Sequence, residues 1–213
     1  MQYSYESYLE RLQKNVSSKG LDEVRLAREE FHRLTGEFSD GEPWFEVRMM
    51  MFLDWYLLDR PGCNGKTPVV QFLQENQDAL TPEEKTRFKY LTVTLRSIFR
   101  LQSIKGQTVF LEDMIGGALW KARWTLPIVG LKPNDVLNTR IVLFNGVPTT
   151  GRSTVFHPKD AHEAIIKIID RALSSRMPKR EIVNHLDKMR LKLDRYSNVK
   201  IRHVYQYPDD AVF

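Results

Sequence analysis

The sequence predicts an α+β protein: an N-terminal helical bundle, a small five-stranded antiparallel β-barrel or curled sheet, and two C-terminal helices. Three observations carry this. Apolar residues recur at helical spacing through the first 95 positions, at a spacing of two from about Arg96 to His157, and at helical spacing again after Pro158. These stretches define three expected units, 1–95, 96–157 and 158–213. With 213 residues, 42% hydrophobic and 11% aromatic, the chain has ample material for a core.

Tyr5, Tyr8, Leu9, Leu12 and Val16 form the first helical stripe, ending near Gly20. Leu21, Val24, Leu26, Ala27, Phe31 and Leu34 form the second, closed by Gly36. A third helix opens at GEPWFE, where Pro43 suits a first turn, and runs to about Asp59. Its stretch 44–58 is apolar around nearly its whole circumference. A membrane span needs ~20 predominantly apolar residues. This run is shorter and holds Glu46, Arg48 and Asp54, so it reads as the buried centre of a bundle. Those three charges then need partners, because an unpaired buried charge is costly. Arg96, Arg100 and the hydroxyls of Tyr5 and Tyr8 are the candidates. Thr67-Pro68 starts a fourth helix. Thr81-Pro82-Glu83-Glu84, with Glu84 at the capping-box position, starts a fifth whose apolar positions are Phe88, Leu91, Val93 and Leu95.

Five alternating stretches follow: IFRLQSI, TVFLEDM, ALWKARWT, VLNTRIVLF and RSTVF, with Gly, Asn and Pro turns between them. In ALWKARWT the side chains of Trp120, Ala122 and Trp124 share one face, read as core, and Lys121 and Arg123 share the other, read as solvent. After Pro158, Ala161, Ala164, Ile165, Ile168, Ile169 and Leu173 make one helical stripe, and Ile182, Val183, Leu186, Met189 and Leu193 make another. The alternating tail VKIRHVYQYPDD is expected to add an edge strand.

Charge is unevenly spread. Residues 1–95 hold 12 basic and 16 acidic side chains, 96–157 hold 8 and 3, and 158–213 hold 12 and 8. The basic middle calls either for an anionic partner or for docking onto the acidic first unit. Lys121, Arg123, Arg140 and Arg152 are the partner-binding candidates on the strands, taken as outward-facing. Asp54, Asp59 and Arg60 are candidates for a structural polar role at the end of the third helix.

Catalytic and metal motifs are weak. GCNGKT at 62–67 has the glycines and lysine of a phosphate loop, but Arg60 stands where the first glycine is needed, and the loop follows a helix rather than a strand. Arg176 and Arg180 match the RxxxR half of a PilZ cyclic-di-GMP motif without its second half. The histidines 32, 157, 162, 185 and 203 and the single cysteine Cys63 form no metal-ligand spacing, and no nucleophile elbow occurs. No enzymatic activity, metal or cofactor is therefore expected. One cysteine, and an N-terminus without a cationic start and apolar run, fit a cytoplasmic protein without membrane attachment.

FLDWYLLDRP, then KTPVVQFL, then LRSIFRLQSI and LKPNDVLNTRIV, resemble a loosely defined group of uncharacterised bacterial proteins. In that group a helical region with a "DWF/Y…DRP" signature precedes a small β-barrel, and some members carry a SEC-C metal-binding tail. The resemblance covers roughly 44–157 and implies the helix-then-barrel layout. The SEC-C cysteines are absent, so it implies no metal. The function expected from the residues is a non-catalytic binding, adaptor or regulatory protein that recognises a protein partner. The alternatives are binding of RNA or single-stranded nucleic acid through the basic strand face, and sensing of an anionic small molecule. Oligomeric state is left open.

Overall fold

The computed structural model describes residues 4–196 and 198–207. Five helices come first: α1 (Tyr5–Ser18), α2 (Asp22–Thr35), α3 (Phe45–Leu58), α4 (Pro68–Glu75) and α5 (Pro82–Leu91). Six strands follow: β1 (Thr94–Lys105), β2 (Thr108–Asp113), β3 (Leu119–Arg123), β4 (Val136–Phe144), β5 (Val147–Thr150) and β6 (Val155–His157). A short turn of 3-10 helix (Lys159–Ala161) leads into α6 (His162–Ser174), α7 (Lys179–Arg195) and α8 (Ile201–Val204). The protein is thus α+β, with eight α-helices and a six-stranded mixed sheet among the described residues.

Local chemistry explains the boundaries. At the start of α5 the Thr81 hydroxyl accepts from the Glu84 amide while the Glu84 carboxylate accepts from the Thr81 amide, a complete capping box. The helix stops at Leu91, short of the helical spacing that runs to Leu95. Val93 is instead exposed and Thr94 opens β1, as suits consecutive β-branched residues. Tyrosines decide the tail. Tyr205 and Tyr207 are buried beside α6 and α7, so Ile201–Val204 turns as α8 where alternation predicts an edge strand; Pro208, Asp209 and Asp210 lie outside the described residues.

The sheet corrects the expected five antiparallel strands. β1 is long enough to pair twice, with β4 over Thr94–Arg100 and with β2 over Phe99–Lys105. β2 pairs with β3, and β4 with β5, while β3 touches β5 in parallel through the single pair Arg123↔Thr149. β6 flanks β4. The missed strand, β5, is short and contains Pro148, which cannot donate to a ladder. Its register is set by the Asn145-Gly146 turn, both residues at positive φ (50° and 75°), as a two-residue hairpin of this type requires.

Three apolar clusters hold the layers. Phe99, Leu101, Val109, Leu111, Ala122, Trp124, Leu137 and Ile141 pack inside the curl of the sheet. α3 lies at the centre of a second cluster with α1, α2, α4 and α5, which also takes Val142 and Val155 from the sheet. α6 and α7 cover Ile98 and Val136 in the third. Helices therefore cover the outside of β4, β6 and the first half of β1. Among the described residues no helix packs on the outer face of β2, β3 and the end of β1. No helix among the described residues is long and apolar enough to cross a membrane.

Candidate functional site

The four basic candidates separate into two pairs. Alternation places Arg140 and Arg152 outward, but β4 is buried on both faces because α3 and α5 lie over it. Arg140 is 3% exposed and grips both Asp59 carboxylate oxygens, with Thr94 Oγ1 accepting a further hydrogen bond. Burial opposes the charge on Arg140, yet Asp59 outweighs it and holds the guanidinium pKa above its usual value. Arg152 donates from Nε to Asp54 Oδ1 at 3.0 Å, and Ser153 Oγ donates to Asp54 Oδ2 at 3.1 Å. The anticipated partners of Asp54, Arg96, Arg100 and the hydroxyls of Tyr5 and Tyr8, are therefore not the ones it finds. Arg60 pairs with Glu30 and Glu23 at 2.8 and 3.3 Å. The acidic helices thus neutralise half of the basic strand patch from within.

A second polar cluster ties α7 to the sheet. Asp187 is fully buried, accepts from Arg96 and Asn138 through its carboxylate, and from buried Arg48 through its backbone carbonyl. Asp113 accepts from Ser97, Lys179 and the amide of Ile115. Beside these groups a cleft of about 860 Å³ opens between α2, α3, β1 and α7, lined by Trp55, Leu58, Arg60, Arg96, Lys179 and Arg180 among others. Arg60, Arg96 and Lys179 are each already ion-paired. Most of the cleft's charge is committed to joining the layers.

Lys121 and Arg123 are the pair that remain outward, both exposed on β3 with no ion pair among the described residues. Register decides what surrounds them. Phe110 stands directly opposite Lys121, and Thr108 opposite Arg123. Phe110 faces away from the core that its neighbours Val109 and Leu111 enter, and Lys105 Nζ lies 5.7 Å from its ring centroid. The one acid of the patch, Glu112, is occupied by Arg100 at 3.6 Å and by Gln102 at 2.6 Å. Phe110 thus has Lys105 over its ring and Lys121 opposite it, with Arg123 two residues farther along β3. Trp120 of β3, and Trp124 just beyond it, alternate away from Lys121 and Arg123; the ring opposite Lys121 comes from the neighbouring strand. The signal was present in TVFLED, whose alternation leaves Phe110 on the face opposite Val109 and Leu111.

At the end of this face a groove of about 480 Å³ runs between the β1–β2 turn, the β4–β5 turn and the start of α1, lined by Gln107, Arg123, Asn145, Tyr5 and Glu6 among others. Among the described residues no group of three or more His, Cys, Asp or Glu side chains stands in reach of one metal ion. Cys63 is exposed, in the turn before α4.

Residues 38–201 match a family of unknown function, DUF7986. The chain belongs to this family. The match takes in the helices from α3 onward, the whole sheet and the C-terminal helices through α7, so the open face is part of the family's shared region. No curated protein and no solved structure matches the chain.

Proposed function

We propose that this DUF7986 member is a non-catalytic binding protein that holds single-stranded nucleic acid on the open face of β1, β2 and β3. The observation that carries the reading is Phe110 opposite Lys121, with Lys105 over its ring and Arg123 on the same strand, on a sheet face that no helix of the described residues covers. Single strands bind where cations track the phosphates and aromatic rings accept stacked bases, at about 1–3 kcal/mol per stacked base. Fold analogy lends support. The circuit β1-β2-β3-β5-β4 and back to β1, with β3 and β5 parallel, resembles the partly open five-stranded barrel of OB folds, whose β2–β3 face and turns 1–2 and 4–5 take oligonucleotides.

Fluorescence anisotropy with a labelled dT12 strand tests this. Three cations on three phosphates give a slope of log K against log salt near about −2. Lys121→Glu with Arg123→Glu should remove binding while leaving the melting temperature within a degree or so, since neither side chain supports another residue. Equal affinity of the double variant and the parent would refute the reading.

A second reading, recognition of a protein partner, rests on a different surface. Val129 is 96% exposed and Phe156 40%, beside an apolar groove of about 360 Å³ that also includes Trp124, Leu126 and Leu131. A partner captured after nuclease treatment, and lost with Val129→Asp while dT12 affinity persists, would assign that surface instead.

A further inference from the structure

The register of β1, β2 and β3 sorts their outer face into rows that cross the strands. Lys105, Thr108 and Arg123 stand side by side in the first row, next to the β1–β2 turn. Ser103, Phe110 and Lys121 form the second, and Arg100, Glu112 and Leu119 the third. All of these leave the sheet on one side, because Leu101, Val109, Leu111 and Ala122, which alternate with them, enter the core. Strands lie about 4.8 Å apart, so each row is a line of neighbouring side chains about 10 Å long. Charge falls from row to row. The first has two cations and no acid, the second has one cation, and in the third Arg100 and Glu112 offset each other at 3.6 Å. Among the described residues Lys121 and Arg123 have no ion pair, and the Thr108 hydroxyl has no hydrogen-bond partner. Apolar surface rises in the opposite direction, from Phe110 in the second row to Leu119, 72% exposed and diagonal to it, in the third.

We propose that a bound strand lies across β1, β2 and β3, with its phosphates along Lys105, Thr108 and Arg123 and its bases over Phe110 and Leu119, an inference that rests on this face being a single-strand site. A phosphate on the third row would meet the Glu112 carboxylate and be repelled. On the first row it meets two cations and a hydroxyl with its proton free to donate. Lys121, one row in, reaches the same phosphates on its flexible four-carbon stem. Lys105 Nζ lies over the Phe110 ring in this structure. An exposed cation–π contact is weak, so a base that stacks on the ring displaces the ammonium towards the phosphate beside it. The arrangement gives two further residues a part in binding: Thr108 donates to a phosphate, and Leu119 is the apolar seat of a second base.

The slope of log affinity against log salt separates the two kinds of contact, since losing a charged phosphate contact changes it and losing a base contact does not. Labelled dT12 is titrated at several salt concentrations with the parent, Arg123→Gln, Arg100→Gln, Thr108→Val and Leu119→Ala, each checked for folding by circular dichroism. Arg123→Gln should weaken binding and make the slope shallower by about 0.7, the share of one phosphate on a single strand. Arg100→Gln should leave the slope as it is. Thr108→Val and Leu119→Ala should each weaken binding several-fold at an unchanged slope. If Arg100→Gln flattens the slope as much as Arg123→Gln, the phosphates are not confined to the first row and the arrangement is wrong, while the strand reading stands. Parent-like affinity in both Thr108→Val and Leu119→Ala also overturns it. If dT12 does not bind the parent, the reading of the face itself fails and the arrangement falls with it.

Discussion

Replacing Asp59 with alanine probes how the helices are fastened to the sheet. The carboxylate sits at the end of α3, about a third exposed, while its partner Arg140 is 3% exposed within β4. Removing the acid leaves a guanidinium that cannot reach water. Breaking a buried pair in this way costs about 3–5 kcal/mol. The lower end, about 3 kcal/mol, applies here, because Thr94 Oγ1 still accepts from Arg140 and Asp54 still acts on it electrostatically. For a chain of this size that corresponds to a melting temperature about 6–12 °C lower. The converse change should be milder. Arg140→Met leaves an aspartate that can turn to solvent, so it should cost about 1–2 kcal/mol. The double variant should cost less than the two single costs together, by about 1–2 kcal/mol of coupling. Urea unfolding followed by circular dichroism measures all four proteins. If Asp59→Ala costs under about 1 kcal/mol, or the two changes add without coupling, Arg140 is not held by this pair and the layers are joined elsewhere.

Other expectations follow from the interior and its charges. Leu57, fully buried in α3, should cost about 2–5 kcal/mol when cut to alanine, whereas Leu21→Ala, 67% exposed, should leave the urea midpoint nearly unchanged. His157 is buried, and its pKa is pushed down to about 3 by desolvation first, then by the charges of Arg190 and Arg48. A depressed histidine stabilises the fold above its unfolded pKa of about 6.5 and loses that contribution as pH falls towards 3, so stability should drop by about 2 kcal/mol from pH 6.5 to 5. His157→Gln should flatten that slope; an unchanged slope would show that other groups cause it. Burial pushes the Asp113 carboxyl up, but Lys179, Ser97 and the Gly116 amide outweigh it, and the net pKa lies below the usual carboxylate value. Its contribution is present above about pH 4 and lost as pH falls below that, so Asp113→Asn should lose stability less steeply on acidification below about pH 4.

Much of this fold is written in periodicity. The helices from Tyr5 to Leu91 and from His162 to Arg195 follow the i, i+3, i+4 stripes, although Leu21, Leu26, Leu34 and Leu173 of those stripes are exposed, and the end of α3 at Leu58 coincides with the approach of Pro61. The capping box at Thr81 is legible because it needs only residues three apart. What periodicity cannot give is what lies against a face. β4 reads as an alternating strand with arginine outward, yet helices cover that side, so Arg140 meets Asp59 of a segment 81 positions away. The same limit hides the open face. Lys121 and Arg123 are visible in β3, but Phe110 joins them only through the antiparallel register with β2. Local spacing fixes which way a side chain leaves the strand. Topology decides whether it finds water, an acid or another ring.

Photo-crosslinking tests the central claim most directly. A dT12 strand carrying one 5-iododeoxyuridine is irradiated with the protein, and the adduct is mapped by tryptic mass spectrometry. Stacking on Phe110 places the adduct in the peptide spanning residues 106–121, between Lys105 and Lys121. The yield should fall with added salt and vanish in Phe110→Ala. Adducts confined to the cleft between α3 and α7, or a yield unchanged in Phe110→Ala, would contradict the assignment of the open sheet face.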